Sequence, residues 1–345
     1  METFQIQNLS VDLLYIIFSQ LQDDKPSLHN LTLSCHLFRN IAQPFFVRNV
    51  TLSYKVNSFC TSLFLRTLEQ RPDLAGHVHR LQLDLIRESS HIIEEVEEIQ
   101  RMVARLTNLR VFRYSSIDYK IWHYELAFPL IPSPTNLFNS IHRVEWHHNM
   151  TFETLSQCMS LPHIETIYCR ELFCDPSDPS DPIILDATKG SSSVTDLSIG
   201  SYVGLSIAVL QKILELPRAL RKLKIDITSH LYIGVPPHKL ATLLYSLQDV
   251  LEQLTVVVVK GARGPATELA DLSGFSSLRS LTLPYGYIIA GQNREDNALE
   301  KYLPPFLEEL TLSRAPVEAL DGPLSNRNGD IHAGRLSRVR ITLIP

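Results

Sequence analysis

No run of apolar residues in this chain reaches the roughly 20 that a membrane-spanning helix needs. Cysteine is sparse: Cys35, Cys60, Cys158, Cys169 and Cys174 form an odd, scattered set, which fits free thiols in a reducing compartment rather than a disulfide framework. Basic residues are not in excess. A net charge of -5 withholds the cationic footprint that nucleic-acid phosphates or an anionic membrane would require. The N-terminal METFQIQ carries no positive charge, and the apolar stretch after it contains Asp12, so no signal peptide is expected. These absences lead to the expectation of a soluble protein of the cytoplasm or nucleus, with neither nucleic acid nor membrane as partner.

Chemical signatures are equally scarce. HExxH, GxSxG, GxxxxGK and GxGxxG do not occur, and KGARGPA at 260–266 lacks the Lys-Ser ending of a phosphate loop. Cys169 and Cys174, with His163 nearby, have no second ligand pair at zinc spacing. His77 and His79, like His147 and His148, read as surface or core histidines. Neither a metal, a cofactor nor an enzymatic reaction is expected.

What the chain does have is enough apolar sequence for a large core: 44% of its 345 residues are hydrophobic and 20% charged, a composition for one to three domains. From position 47 onward a unit of three spaced apolar residues returns, as VRNVTL, VHRLQL, IHRVEW, VTDLSI, LRKLKI, LEQLTV, LEELTL and LSRVRI, with a longer spelling in LTNLRVFRY, LPHIETIYC and FSSLRSLTL. Its second apolar position falls at Val50, Leu81, Phe112, Val144, Ile167, Leu197, Leu223, Leu254, Leu281, Leu310 and Val339. The spacing of about 29 residues is that of a leucine-rich repeat, one strand and one helix per unit. Alternation of x-L-x-L has the period of a strand with one buried face.

Between the strands the period changes. Ile92, Ile93, Val96, Ile99, Val103 and Leu106 recur at helical spacing, as do Leu240, Leu243, Leu244, Leu247, Val250 and Leu251. The expected fold is therefore α/β: a leucine-rich-repeat-like β/α solenoid, or horseshoe, with parallel strands in about eleven degenerate units over 47–345. Stacked units bury what no single unit could. An open parallel α/β sheet is the alternative. Only Asn149 occupies the slot where a regular repeat places Asn or Cys, so the buried side-chain ladder of that family is missing. Residues 171–193, rich in Pro, Asp and Ser, read as a loop insert, and 129–136 similarly.

Residues 1–46 differ. Leu9, Val11, Leu13, Leu14, Tyr15, Ile16, Ile17, Phe18 and Leu21 cover most of a helical circumference, so that helix needs cover on nearly every side. Ser10 is placed to cap it, with Leu9 and Leu14 as a hydrophobic staple. Pro26 suits the first turn of a second helix carrying Leu28, Leu31 and Leu33. A third runs through Phe38, Ile41 and Ala42 and is expected to stop at Pro44, handing the chain to a strand at Val47. Cys35 reads as a packing residue. So small a unit has surplus apolar surface, to be covered either by a partner or by the first repeat.

Taken in order, Leu9, Ser10, Asp12, Leu13, Leu14, Ile17, Phe18 and Leu21, then Leu28, Leu31, Leu33, Ser34, Cys35, His36, Phe38, Arg39, Ile41, Ala42 and Pro44, resemble an F-box. The family pattern has Pro, Glu, Asp, Val and Arg where this chain has Ser10, Asp12, Ser27, Ser34 and His36. An F-box followed by leucine-rich repeats resembles an arrangement found among fungal proteins. The resemblance implies a non-catalytic substrate receptor of an SCF-type cullin-RING ubiquitin ligase. Leu9, Ser10, Asp12, Leu13, Leu14, Ile17, Phe18, Leu21, Leu28, Leu31, Cys35 and Phe38 would meet a Skp-type adaptor, and through it a cullin scaffold, while the repeats hold a protein substrate. An interaction scaffold with no role in ubiquitination is the alternative.

Side chains alternating with the buried strand positions are candidates for substrate contact on the concave face: Arg80, Gln82, Arg143, Glu145, Thr166, Tyr168, Lys222, Lys224, Glu309, Thr311, Arg338 and Arg340. Their charges are mixed.

Overall fold

The computed structural model describes residues 6, 9–54, 59–85, 92–116, 139–173, 189–201, 207–227, 237–258, 271–284, 302–313 and 340–344. The loop at 129–136, most of the insert at 171–193, the turn at 260–266, Cys174, Arg338 and Val339 lie outside these residues. The chain forms two compact units, Met1–Glu145 and Trp146–Pro345.

Unit 1 opens with three helices, α1 (Val11–Ser19), α2 (Lys25–Ser34) and α3 (His36–Phe46). Strands and helices then alternate: β1 (Asn49–Tyr54), α4 (Phe59–Gln70), β2 (Arg80–Leu85), α5 (Ile92–Val103) and β3 (Val111–Ser116). β4 (Arg143–Thr151) spans the boundary between the units. Unit 2 continues with α6 (Phe152–Met159), β5 (Thr166–Phe173), β6 (Asp196–Ser201), α7 (Ile207–Glu215), β7 (Lys222–Ile227), α8 (Pro237–Leu244), β8 (Gln253–Val258), β9 (Ser280–Pro284), β10 (Glu309–Ser313) and β11 (Arg340–Ile344). Among the described residues, no helix is long and apolar enough to cross a membrane.

In unit 1, β1 pairs with β2 and β2 with β3; in unit 2 the pairing runs β5 to β11 in chain order. Every one of these pairings is parallel. The register matches the apolar pattern, with Val50 opposite Leu81 and Leu81 opposite Phe112 in unit 1. In unit 2, Ile167, Leu197, Leu223, Leu254, Leu281 and Leu310 form one continuous row. The last unit is corrected: Leu310 lies opposite Ile341, two residues beyond Val339. Val339, Ile341 and Leu343 alternate, and a shift of two keeps every side chain on the same face, so the pattern alone could not choose.

The three apolar positions of a repeat enter the core, as Val78, Leu81 and Leu83 do, or Leu251, Leu254 and Val256; in the first repeat Val50 is only half-buried. Helical residues close that core, including Ile99, Met102 and Val103 on α5 and Leu210, Ile213 and Leu214 on α7. The second long helical pattern is shorter than its periodicity suggested: α8 ends at Leu244 and a tight 3-10 turn, Tyr245–Leu247, carries Leu247 into the core.

Two hydrogen-bond rows take the place of the missing Asn ladder. Carbonyls just before strands accept two N–H groups from the next repeat: Arg48 from His79 and Arg80, His79 from Arg110 and Val111, Arg221 from Glu252 and Gln253, Arg279 from Glu308 and Glu309. Second, a short polar side chain at the head of a repeat reaches back to the one before. The Ser140 hydroxyl donates to the Leu109 carbonyl at 2.8 Å, Ser193 to Ile164 at 2.7 Å, Ser277 to Asp249 at 2.6 Å, and the Asn108 amide to Gly76 at 2.7 Å. Asn149 does not join either row by its side chain; its carbonyl accepts the Trp146 indole N–H at 3.2 Å.

Candidate functional site

The three N-terminal helices have a core of their own, made of Leu14, Phe18, Leu28, Phe38, Ile41, Ala42 and Phe45, with Leu9, Leu21, Leu31 and Phe46 packed around it. Phe18 and Phe38 meet edge to face at 5.3 Å. Local sequence explains each helix start. The Ser10 hydroxyl accepts the Leu13 N–H at 3.4 Å, and Leu9 and Leu14 occupy the staple positions. Asp24, three residues before Ser27, caps α2 by accepting the Ser27 N–H at 3.1 Å; hydrogen bonding from the Ser27 side chain, and then from this N–H, holds its carboxyl below the usual range. The Lys25 ammonium donates to the Phe46 carbonyl and lies 5.2 Å from the Phe46 ring, tying the start of α2 to the end of α3. Burial pushes this amine's pKa down, against the charge of Asp23.

Three expectations are corrected here. Pro44 does not stop α3, which runs on to Phe46. Proline costs the rung to Asn40, but the next rung, Val47 N–H to the Gln43 carbonyl, forms at 3.0 Å, and the extra turn seats Phe45 in the core. Strand β1 accordingly begins at Asn49 rather than Val47. Cys35 is exposed, not packed inside; its Sγ lies 3.5 Å from the Phe38 N–H and caps α3.

The wheel of α1 divides sharply. Leu14 and Phe18 are buried, whereas Val11 is 55% exposed, Ile16 57%, and Leu13, Tyr15 and Ile17 also face solvent. Leu33 on α2 (64% exposed) and Leu37 on α3 extend the apolar exposure. Full burial of a Leu or Ile side chain is worth about 1.5–3 kcal/mol, so the half-exposed side chains of α1 together forgo on the order of 5 kcal/mol. An apolar surface of this kind is a candidate interaction site.

Of the residues that the resemblance assigned to adaptor contact, Leu14, Phe18, Leu28 and Phe38 lie in the internal core, and Leu9, Leu21 and Leu31 pack on it. Ser10 and Cys35 are caps. Asp12, Leu13 and Ile17 are exposed. Val11, Tyr15, Ile16, Leu33 and Leu37 are exposed apolar residues absent from that set. In sequence, Asp12 and Ser19 mark a narrow polar edge on the side of α1 away from Leu14 and Phe18, but the apolar residues around the rest of the circumference do not show how wide the buried face is.

The sheet-face candidates alternate with the buried positions as expected, but several are engaged within the protein. Glu145 is buried, 2.7 Å from Arg143 and 3.8 Å from Arg113. The Gln82 amide donates to Asp84 at 2.9 Å, and Lys224 pairs with Asp226 at 2.8 Å. Tyr168 is half-buried against the His147 ring, 4.9 Å away. Thr166 and Thr311 are half-buried; Lys222 and Glu309 are exposed, and Arg80 is partly so. Arg340 opens β11 opposite Glu309. Among the described residues no group of three or more His, Cys, Asp or Glu side chains is placed to hold a metal ion. Cys169 is buried and His163 exposed.

No family model matches this chain, and no curated protein sequence matches it. The fold and the surfaces themselves carry the functional reading.

Proposed function

We propose that this chain is the substrate-recognition subunit of an SCF-type cullin-RING ubiquitin ligase. In this reading α1, α2 and α3 form an F-box that docks on a Skp-type adaptor, the strand–helix units stack as a leucine-rich-repeat-like solenoid, and the solenoid holds a protein substrate. The subunit performs no chemistry. It holds a substrate lysine near the charged conjugating enzyme, a proximity effect.

The observation that carries the reading is the apolar face of α1, left open on a helical unit whose core is already complete. The repeats support it too: strand order follows chain order through each unit, with no reversal among the described pairings of the kind that defines a doubly wound sheet. The scaffold alternative, in which the helices merely cap the repeats, draws support from α3. The Arg48 N–H donates to Phe45, and Arg71 donates to the Gln43 side chain at 3.2 Å. Capping by α3 still leaves the α1 face uncovered.

Co-expression with a Skp-type adaptor tests the reading. The wild type is expected to retain the adaptor through affinity purification and gel filtration, and the Leu13→Asp, Ile16→Asp double variant to lose it while keeping its helical circular dichroism. Failure of the wild type to retain the adaptor would overturn it.

A further inference from the structure

The residue just before a strand occupies one recurring place, and at Arg48, His79, Arg110, Glu165, Thr195, Arg221, Glu252 and Arg279 its carbonyl is bonded to the repeat that follows. In unit 2 this place holds Glu165, Thr195, Arg221, Glu252, Arg279 and Glu308, acids beside bases. Arg221 lies 3.5 Å from Glu252, and Arg279 lies 3.8 Å from Glu308, so opposite signs meet in pairs. In unit 1 the same place holds Arg48, His79, Arg110 and His142 in succession. Arg80 adds a further cation beside His79.

Neither Arg48, Arg80 nor Arg110 has a carboxylate partner among the described residues. Among the acids of unit 1, Asp73 is engaged with Arg71 at 2.7 Å and Glu145 with Arg143 and Arg113. The clustering is felt at His79, whose pKa is lowered first by burial and then by the charges of Arg48 and Arg110, with His77 adding to them. Neighbouring parallel strands are about 4.8 Å apart, so these like charges repel until an anion lies between them.

We propose that this row is the docking site of an extended acidic peptide segment, its carboxylates crossing the starts of β1, β2 and β3. Charge complementarity selects the occupant, since guanidinium groups bind carboxylates by charge-assisted hydrogen bonds. Four places about 4.8 Å apart span about 15 Å, the reach of roughly five extended residues. A long polyanion such as nucleic acid is disfavoured by the net charge of -5 and by the paired charges of the corresponding row in unit 2. The site names the chemistry of a partner for the repeats, and it stands whether or not the helices bind an adaptor.

The test is fluorescence anisotropy on the full chain without adaptor, at low salt, with a labelled ten-residue peptide of alternating Glu and Ser and its Gln–Ser counterpart. The Arg48→Glu, Arg110→Glu variant is expected to bind the acidic peptide at least tenfold more weakly than wild type. A Lys189→Glu, Lys239→Glu control, with the same change in net charge, is expected to differ less than twofold. Wild type that does not prefer the acidic peptide, equal losses in both variants, or tighter binding of an equally charged oligothymidine would each overturn the proposal. Should the double reversal unfold, NMR titration of wild-type His79 decides: peptide is expected to raise its pKa, and an unmoved titration overturns the site.

Discussion

The thiols of this chain divide by burial. Cys158 on α6 is wholly buried, which pushes its pKa up to about 12, while Cys35 and Cys60 are exposed. A thiol reagent at neutral pH is expected to label Cys35 and Cys60 in the folded protein and Cys158 only after denaturation, as peptide mapping would show. His79 gives a second residue-level prediction. Its pKa is depressed in the folded state, so the unfolded chain takes up more protons as pH falls below about 6.5, the unperturbed value. Stability from this group is complete above that pH and is lost as pH falls through the folded value. Urea titrations of wild type and His79→Gln at pH 7.5 and 5.5 are expected to show a smaller acid-side loss in the variant.

Among elements, α1 separates packing from docking. Leu14→Ala removes a fully buried side chain from the helical core and is expected to cost about 2–5 kcal/mol in denaturant unfolding. Ile16→Ala touches a mostly exposed side chain and is expected to stay within about 0.5 kcal/mol. The strand register was legible in the sequence because three apolar residues per repeat face one core, and a one-residue slip would expose all of them. At Ile341 that rule ran out, since it is blind to a shift of two. The helix starts at Ser10 and Pro26 were equally legible, because capping is local chemistry. Which side of α1 turned inward was legible only in part, since Asp12 and Ser19 mark an outer edge, while the width of the buried face depends on α3 supplying Phe38 and Phe45 from beyond the helix itself. Cys35 misled for a related reason: the residue type suggests burial, but its place between α2 and α3 made its sulfur a cap. The serine row was hidden as well. Ser140 and Ser193 look like ordinary turn residues until the stacked repeats bring carbonyls above them, and replacing either with Ala is expected to cost about 1 kcal/mol in the same unfolding assay.

At the scale of the molecule, stability of stacked repeats is carried by contacts between neighbours. Gly200 on β6 sits against the β5 backbone so closely that a Cβ there would be driven into the Arg170 carbonyl, and backbone cannot step aside as a long side chain would. Gly200→Ala is therefore expected to raise hydrogen exchange in β5, β6 and β7 while leaving β9 and β10 close to wild type. Uniform loss of protection across unit 2 would instead show that the unit unfolds as one body. The row of carbonyls before each strand has a direction, every acceptor serving the repeat after it. At the first rung the donor that would look for an earlier repeat, the Arg48 N–H, is already taken by the Phe45 carbonyl at 3.2 Å. That bond withholds from a second copy one rung of the template for head-to-tail polymerisation, and lets α3 act as a terminator for a structure whose repeating logic would otherwise invite fibres.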